Sequence, residues 1–294
     1  MNDARLEAMA ASLEASGDYR ILRKLRPLAA TPPPPGAATK TGLFVDVETT
    51  GLDPKLDEII ELAMTPFTYG LDGVIYAVGE SFGQLRQPSR PIPPEITALT
   101  GIDDAMVAGK VIDPEAVAHF AGPAAFVIAH NAAFDRRFLE RFSEVFTTKP
   151  WGCSMTQIDW TAEGFEGTKL AYLAMGAGFF YDRHRAVADC QAAIALLARP
   201  LPKTGALGLT RLLERARAPT WRIWAEGAPF DLKDALKARG YRWNGDGAPR
   251  AWWIDVADAD REAELAFLQT EIYQREIDLL VKRIDAYDRF SERC

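Results

Sequence analysis

GLFVDVETTGL, residues 42–52, decides how the rest of the chain is read. A short apolar run bounded by glycine is a buried strand, and its alternation sends Asp46 and Glu48, two residues apart, to the same side of a sheet. The Thr49-Thr50-Gly51 turn follows at once, so both carboxylates emerge at the carboxyl end of the strand. That edge is where open α/β folds hold ligands. Acid pairs at this spacing also arise by chance in a chain with 41 acidic residues, so the pair needs its context.

Working outward, IIELAMTPFTY (59–69) and GVIYAVGESFGQL (73–85) predict two further strand regions separated by Gly70, Asp72 and Gly73. Pro-Pro-Glu near residue 94 and Asp-Pro-Glu at 113–115 open helices, the second reaching Phe120, and AAFVIAH (124–130) is a buried strand. NAAFDRRFLERF and AVADCQAAIALLA (186–198) carry helical stripes. Strands first, then alternating strand and helix, predict a mixed α/β sheet with helices on both faces.

Both helices carry a carboxylate where an apolar residue belongs. Asp135 shares the stripe of Phe138, Leu139 and Phe142, and Asp189 shares a face with Ala186, Ala193 and Leu196. Burying an unpaired charge is expensive. A helix cap or an arginine partner explains one such residue; four carboxylates aimed at one cleft require cations, and an all-oxygen donor set suits Mg²⁺ or Mn²⁺ better than zinc. Of the three histidines, His119 in an apolar helical segment and His130 at a strand end read as structural. His184, in the polar turn before the Asp189 helix, is placed to take a proton from an attacking water.

The chain has 294 residues, 48% of them hydrophobic, a mean hydropathy of −0.11 and a net charge of −7. These values place it among globular proteins and argue against a nonspecific nucleic-acid coat. The charge is unevenly spread: residues 42–198 hold 11 basic and 21 acidic side chains, a net of −10, while 199–218 are net +4. No apolar run approaches a membrane span and the first thirty residues mix acids with bases, so the expected location is the cytoplasm, with no membrane partner. Cys153, Cys190 and Cys294 form no close pair and are expected as free thiols.

Five segments are expected: an N-terminal helix and proline-rich linker (1–41), the acidic α/β block (42–198), a basic linker (199–218), a small α+β module (219–256) and a long C-terminal helix (257–294). The module holds five of the seven tryptophans, Trp221, Trp224, Trp243, Trp252 and Trp253, among lysines and arginines. Most are expected to fill a small core, leaving one or two to stack on bases. The apolar last helix suggests packing on the main block or pairing with a second chain.

Asp46-x-Glu48 in FVDVETTGL, Asp135 in HNAAFD, and His184 with Asp189 in HRAVAD resemble, in order and spacing, the three motifs of the DEDDh family of 3′–5′ exonucleases, to which proofreading subunits of bacterial replicative polymerases belong. PIPPEITALTGI (91–102) is similar to the segment that family carries between its first two motifs, although Thr100 stands where the proofreading subunits have a histidine. The resemblance spans residues 42–198. It implies a ribonuclease H-like fold and hydrolysis at nucleic-acid 3′ ends, DNA in preference to RNA. Asp46, Glu48, Asp135 and Asp189 would hold two divalent cations, Mg²⁺ or Mn²⁺, and His184 would be the general base. It further implies terminal-nucleotide contacts from Thr49, Thr50, Gly51 and Leu52, with Glu95 near the terminal sugar. A polymerase is a possible partner. The alternatives are an exoribonuclease and an inactive nucleic-acid binding protein of the same fold.

Overall fold

Leu43, Phe44, Val45 and Val47 are all buried, so the strand that carries them has protein on both faces. The structure, a computed structural model, describes residues 3–245 and 247–293. It divides into two compact units, Met1–Leu213 and Glu214–Cys294.

In chain order the first unit holds α1 (Asp3–Ala15), β1 (Arg23–Lys24), β2 (Thr39–Thr49), β3 (Ile59–Gly70), β4 (Ile75–Val78), β5 (Phe82–Leu85), α2 (Pro94–Thr100), α3 (Asp104–Val107) and α4 (Pro114–Ala121). There follow β6 (Phe126–Ala129), α5 (Ala132–Phe142), β7 (Trp151–Cys153), α6 (Leu170–Gly176), β8 (Phe179–Phe180) and α7 (Ala186–Leu197), and α8 (Gly208–Arg217) crosses into the second unit. The main sheet has the order β4-β3-β2-β6-β7, with β5 also on β3. β2 runs antiparallel to β3 and parallel to β6, so the sheet is mixed, as its sequence predicts. α7 packs on β2 and β3, and α5 packs on β2, β6 and β7. These two helices bring the second and third acidic motifs to the first.

The N-terminal expectations are altered in detail. α1 forms, but Leu6, Met9 and Leu13 are exposed. The basic piece after it contains β1, which pairs in parallel with β8. The proline-rich stretch is tied to the sheet by the Thr31 amide, which donates to the Tyr76 carbonyl at 2.7 Å, and β2 already begins at Thr39.

The second unit contains β9 (Thr220–Ala225), α9 (Lys233–Ala238), β10 (Arg242–Trp243), β11 (Trp252–Ala257), α10 (Arg261–Phe267) and β12 (Val281–Ile284) in an antiparallel sheet ordered β10-β11-β9-β12. The expected basic linker 199–218 is corrected, because its second half is α8. Leu209, Leu212, Leu213 and Ala216 are buried there at helical spacing, a stripe that the preceding prolines and glycines obscure. The long C-terminal helix is also corrected. α10 continues as a π-turn from Leu268 to Tyr273, Gln274 adopts the left-handed conformation at φ 52°, and the chain returns as β12. Val281 and Ile284 fit a helical stripe equally well in sequence, but pairing beside Ile223 and Thr220 covers an edge of β9 that a helix would leave open.

Cys153 and Cys190 are buried free thiols, and Cys294 lies outside the described residues. Among the described residues no helix is long and apolar enough to cross a membrane.

Candidate active site

β2 and β3 pair residue for residue up to Glu48, which faces Glu61, and the register then shifts between Glu48 and Thr49. The strand therefore stops pairing regularly where its carboxylates leave it. The turn beyond is held by its own polar groups. Thr49, buried, donates its hydroxyl to the Gly51 carbonyl at 2.6 Å, and the Thr50 amide donates to the Glu58 carbonyl at 2.9 Å. Gly51 lies close against the Asp57 carboxylate, which a Cβ there would have to displace. Leu52 projects from the tip, 80% exposed.

Asp135 sits in the first turn of α5, 3% exposed, and its Oδ1 accepts the Val47 amide at 3.2 Å. That bond ties α5 to the residue between Asp46 and Glu48. Asp189 occupies the first turn of α7; its Oδ1 accepts the Tyr181 hydroxyl at 2.7 Å and its Oδ2 the Arg185 amide at 3.2 Å. One oxygen from each of Asp46, Glu48 and Asp189 lies within 4.8 Å of the other two. Asp135 is not part of that trio, but its charge reaches Asp46.

The electrostatics follow from this crowding. Burial, then the charges of Asp135, Asp189, Glu48 and Glu61, push Asp46 well above the usual carboxylate range. Burial and the charges of Asp189 and Glu61 push Glu48 up to about 7, with Arg185 opposing. Burial pushes Asp135 up to about 8 against the Val47 hydrogen bond, and raises Asp189 against the Tyr181 hydroxyl and the nearby His184. Carboxylates so placed resist ionising together. Hard divalent cations fit this donor set, which is all oxygen and short of positive charge.

His184 is exposed in the turn before α7, at φ 59°, a conformation uncommon for a residue with a side chain. Glu95 stands exposed in the first turn of α2, without a hydrogen bond to the cluster among the described residues. Thr100 is buried and serves its own helix end, donating to the Ile96 carbonyl at 2.9 Å and accepting the Ile102 amide at 3.1 Å. His130 is structural, as expected. Its two ring nitrogens meet Ser154 Oγ at 2.9 Å and the Thr168 carbonyl at 2.8 Å, and burial pushes it down to about 4. His119 is instead exposed on α4.

Sequence reasoning missed three residues at the site: Glu61, Arg185 and Tyr181. Glu61, 4% exposed, accepts the Ala186 amide at 3.1 Å and the Arg185 guanidinium at 3.2 Å, and Tyr181 donates to Asp189. Only Glu61 stands out in the sequence, as the one acid in the otherwise apolar run Ile59–Met64.

The sequence model of the RNase T exonuclease family matches residues 43–197, which include all five residues of the acid and histidine motifs. The chain belongs to the RNase T exonuclease family. The proteins that this family model describes are exonucleases. The PolC-type DNA polymerase III of Thermotoga maritima is 30% identical over 183 residues, which are 59% of this chain and 13% of that protein. Exodeoxyribonuclease 10 of Escherichia coli is 30% identical over 159 residues, 52% of this chain and 66% of that protein. The chain thus spans a small part of its polymerase relative. Escherichia coli exonuclease I in complex with a dA16 oligonucleotide is similar in fold, with a TM-score of 0.51, 17% identity, and coverage of 79% of this chain and 71% of that one. The ribonuclease H-like architecture expected from the sequence is the one this RNase T family chain adopts.

Proposed function

We propose that this chain is a metal-dependent 3′–5′ exonuclease that hydrolyses phosphodiester bonds at single-stranded or frayed DNA 3′ ends, releasing nucleoside monophosphates during repair or replication. The observation that carries the proposal is the approach of oxygens from Asp46, Glu48 and Asp189 to within 4.8 Å of one another, beside buried Asp135. Asp46, Glu48, Asp135 and Asp189 are the residues that would hold two divalent cations, Mg²⁺ or Mn²⁺. Bound there, such ions would neutralise the carboxylates and would stabilise the charge that develops on the phosphate oxygens.

The chain's own groups do the rest. His184 is exposed, so its imidazole is open to the attacking water as a general base while the four carboxylates serve as ligands. Tyr181 and the Arg185 amide fix the two oxygens of Asp189, and the Val47 amide fixes Asp135. Exposed Leu52, on a turn stiffened by Thr49, Thr50 and Gly51, is placed to press against the terminal base, and Glu95 is assigned to the terminal sugar. DNA is preferred as substrate because the relatives are named as a DNA polymerase and an exodeoxyribonuclease.

The test is nucleotide release from end-labelled single-stranded DNA and RNA with Mg²⁺ or Mn²⁺, for the natural chain, Asp46→Ala and His184→Ala. Release of mononucleotides from DNA 3′ ends, abolished in both variants, is expected. Faster release from RNA would replace the substrate, and no metal-dependent release from either polymer would overturn the proposal.

A further inference from the structure

The second unit has a core of its own, built from Ile223, Ala225, Leu236, Tyr241, Leu268 and Ile272. Of its five tryptophans, Trp224 is buried and Trp221, Trp252 and Trp253 are half-buried. Phe230 and Trp243 stand apart from that core. Trp243, on the edge strand β10, is 50% exposed, and Phe230, just before α9, is 76% exposed.

Cations link these two rings. Lys233 Nζ lies 3.8 Å from the centre of the Phe230 ring. Lys237, one turn further along α9, lies 5.9 Å from the ring of Trp252, whose centre is 5.5 Å from that of Trp243. Phe230, Lys233, Lys237, Trp252 and Trp243 therefore form one continuous stripe. Among the described residues Lys233 has no carboxylate partner, and Lys237 has only Asp234 at 3.9 Å, a solvent-exposed pair of little strength.

We propose that this stripe is a second nucleic-acid site that holds a single-stranded stretch of the polymer, with bases stacked on Trp243 and Phe230 and phosphates on Lys233 and Lys237. The proposal rests on the reading of the first unit as an exonuclease acting on such polymers. The chemistry selects this occupant over a protein. A protein interface centres on a contiguous apolar patch, whereas here the lysines interrupt the rings. Alternating rings and cations suit a chain of flat bases joined by phosphates, and the ring faces are reachable only by unstacked bases. The second foothold also has a purpose: residues 42–198 carry a net charge of −10, so that block attracts little of the polymer beyond the end being cut.

The experiment uses the full chain. Fluorescence anisotropy of a long labelled oligothymidylate is measured with EDTA present, so that nothing is hydrolysed. Trp243→Ala combined with Phe230→Ala is expected to weaken binding about tenfold or more, and Trp243→Phe to retain it. Lys233→Gln with Lys237→Gln is expected to lower the salt dependence by about 0.7 per lysine removed. Hydrolysis of a dinucleotide, too short to occupy two sites, should stay unchanged in every stripe variant while KM for long strands rises.

Unaltered binding in Trp243→Ala with Phe230→Ala, or a loss that Trp243→Phe shares, overturns the second site. If the natural chain hydrolyses neither substrate with metal present, the exonuclease proposal fails instead, and the anisotropy measurement still decides the stripe.

Discussion

Glu61 and Arg185, 124 residues apart in the chain, meet as an ion pair at 3.2 Å, and the same Glu61 carboxylate accepts the Ala186 amide at 3.1 Å. Arg185 is the N-cap residue of α7 and has no side-chain cap there. Glu61 supplies one from β3, a carboxylate at the positive end of a helix. Because His184 precedes Arg185 and Asp189 lies one turn beyond it, this clasp positions two of the proposed catalytic groups against the strand that faces Glu48.

Glu61→Ala should therefore act on both stability and rate. Loss of the cap costs about 1–2 kcal/mol, at the low end because Arg185 is half-exposed and can rehydrate. With His184 and Asp189 less firmly held, kcat should fall about tenfold or more while KM for the DNA end changes little. Glu61→Gln keeps an acceptor for the Ala186 amide and should recover most of the stability. Thermal melts and single-turnover rates check both variants; an Ala variant with natural kcat removes the positioning role.

Tyr181→Phe isolates the hydroxyl that donates to Asp189 at 2.7 Å. That bond holds Asp189 down against the burial that raises it, so without it the carboxylate keeps its proton to higher pH. The acid limb of the rate profile should move upward, and more divalent cation should be needed for half-maximal rate. An unmoved pH profile in Tyr181→Phe contradicts this.

The contrast between Asp46 and Glu61 explains what the sequence could disclose. Strand alternation is local, so the shared direction of Asp46 and Glu48 is readable from two positions, and a helical stripe of three phenylalanine and leucine positions exposes Asp135. The strands β2, β3 and β6 are equally legible, because burial on both faces leaves near-continuous apolar runs. The roles of Glu61 and Tyr181 depend on partners brought together by the fold, and no local spacing encodes them. The C-terminal strand is hidden for the same reason. Leu265, Leu268, Ile272 and Leu279 satisfy one helical stripe in sequence and Ile277, Leu280 and Ile284 a second, and only the open edge of β9 makes Val281–Ile284 a strand. α8 is hidden for a different reason, because Pro200, Pro202 and Gly205 dominate a local reading of the segment just before a clean amphipathic stripe.

Asp135→Asn separates charge from shape. The amide oxygen of asparagine can still accept the Val47 amide, so the α5–β2 connection survives, while one of the mutually repelling charges is gone. In EDTA at pH 8.5 this variant should melt at or above the natural chain. Its rate with Mg²⁺ should nevertheless fall at least about a hundredfold, because a ligand charge has been removed. A variant that is both destabilised and active reverses the expectation on each count.

The dependence of stability on pH carries the sign of the crowded carboxylates. Glu48 is pushed up to about 7 and Asp135 to about 8, against an ordinary unfolded value near 4. Between those limits the folded chain binds more protons than the unfolded one. Stability without metal should therefore fall as pH rises from about 4.5 to about 8, and level off above. A tenfold difference in proton affinity between the folded and unfolded chain corresponds to about 1.4 kcal/mol, so Glu48 alone contributes roughly 3 kcal/mol before screening, or roughly 5–10 °C in Tm. Divalent cations should reverse the trend, because the deprotonated cluster is the form that binds them, so that Mg²⁺ or Mn²⁺ raises Tm most at pH 8.5 and least at pH 5. Melts in EDTA and in each metal across that range decide the matter. A Tm in EDTA that climbs from pH 5 to pH 8 would mean that Asp46, Glu48 and Asp189 do not crowd one another beside Asp135.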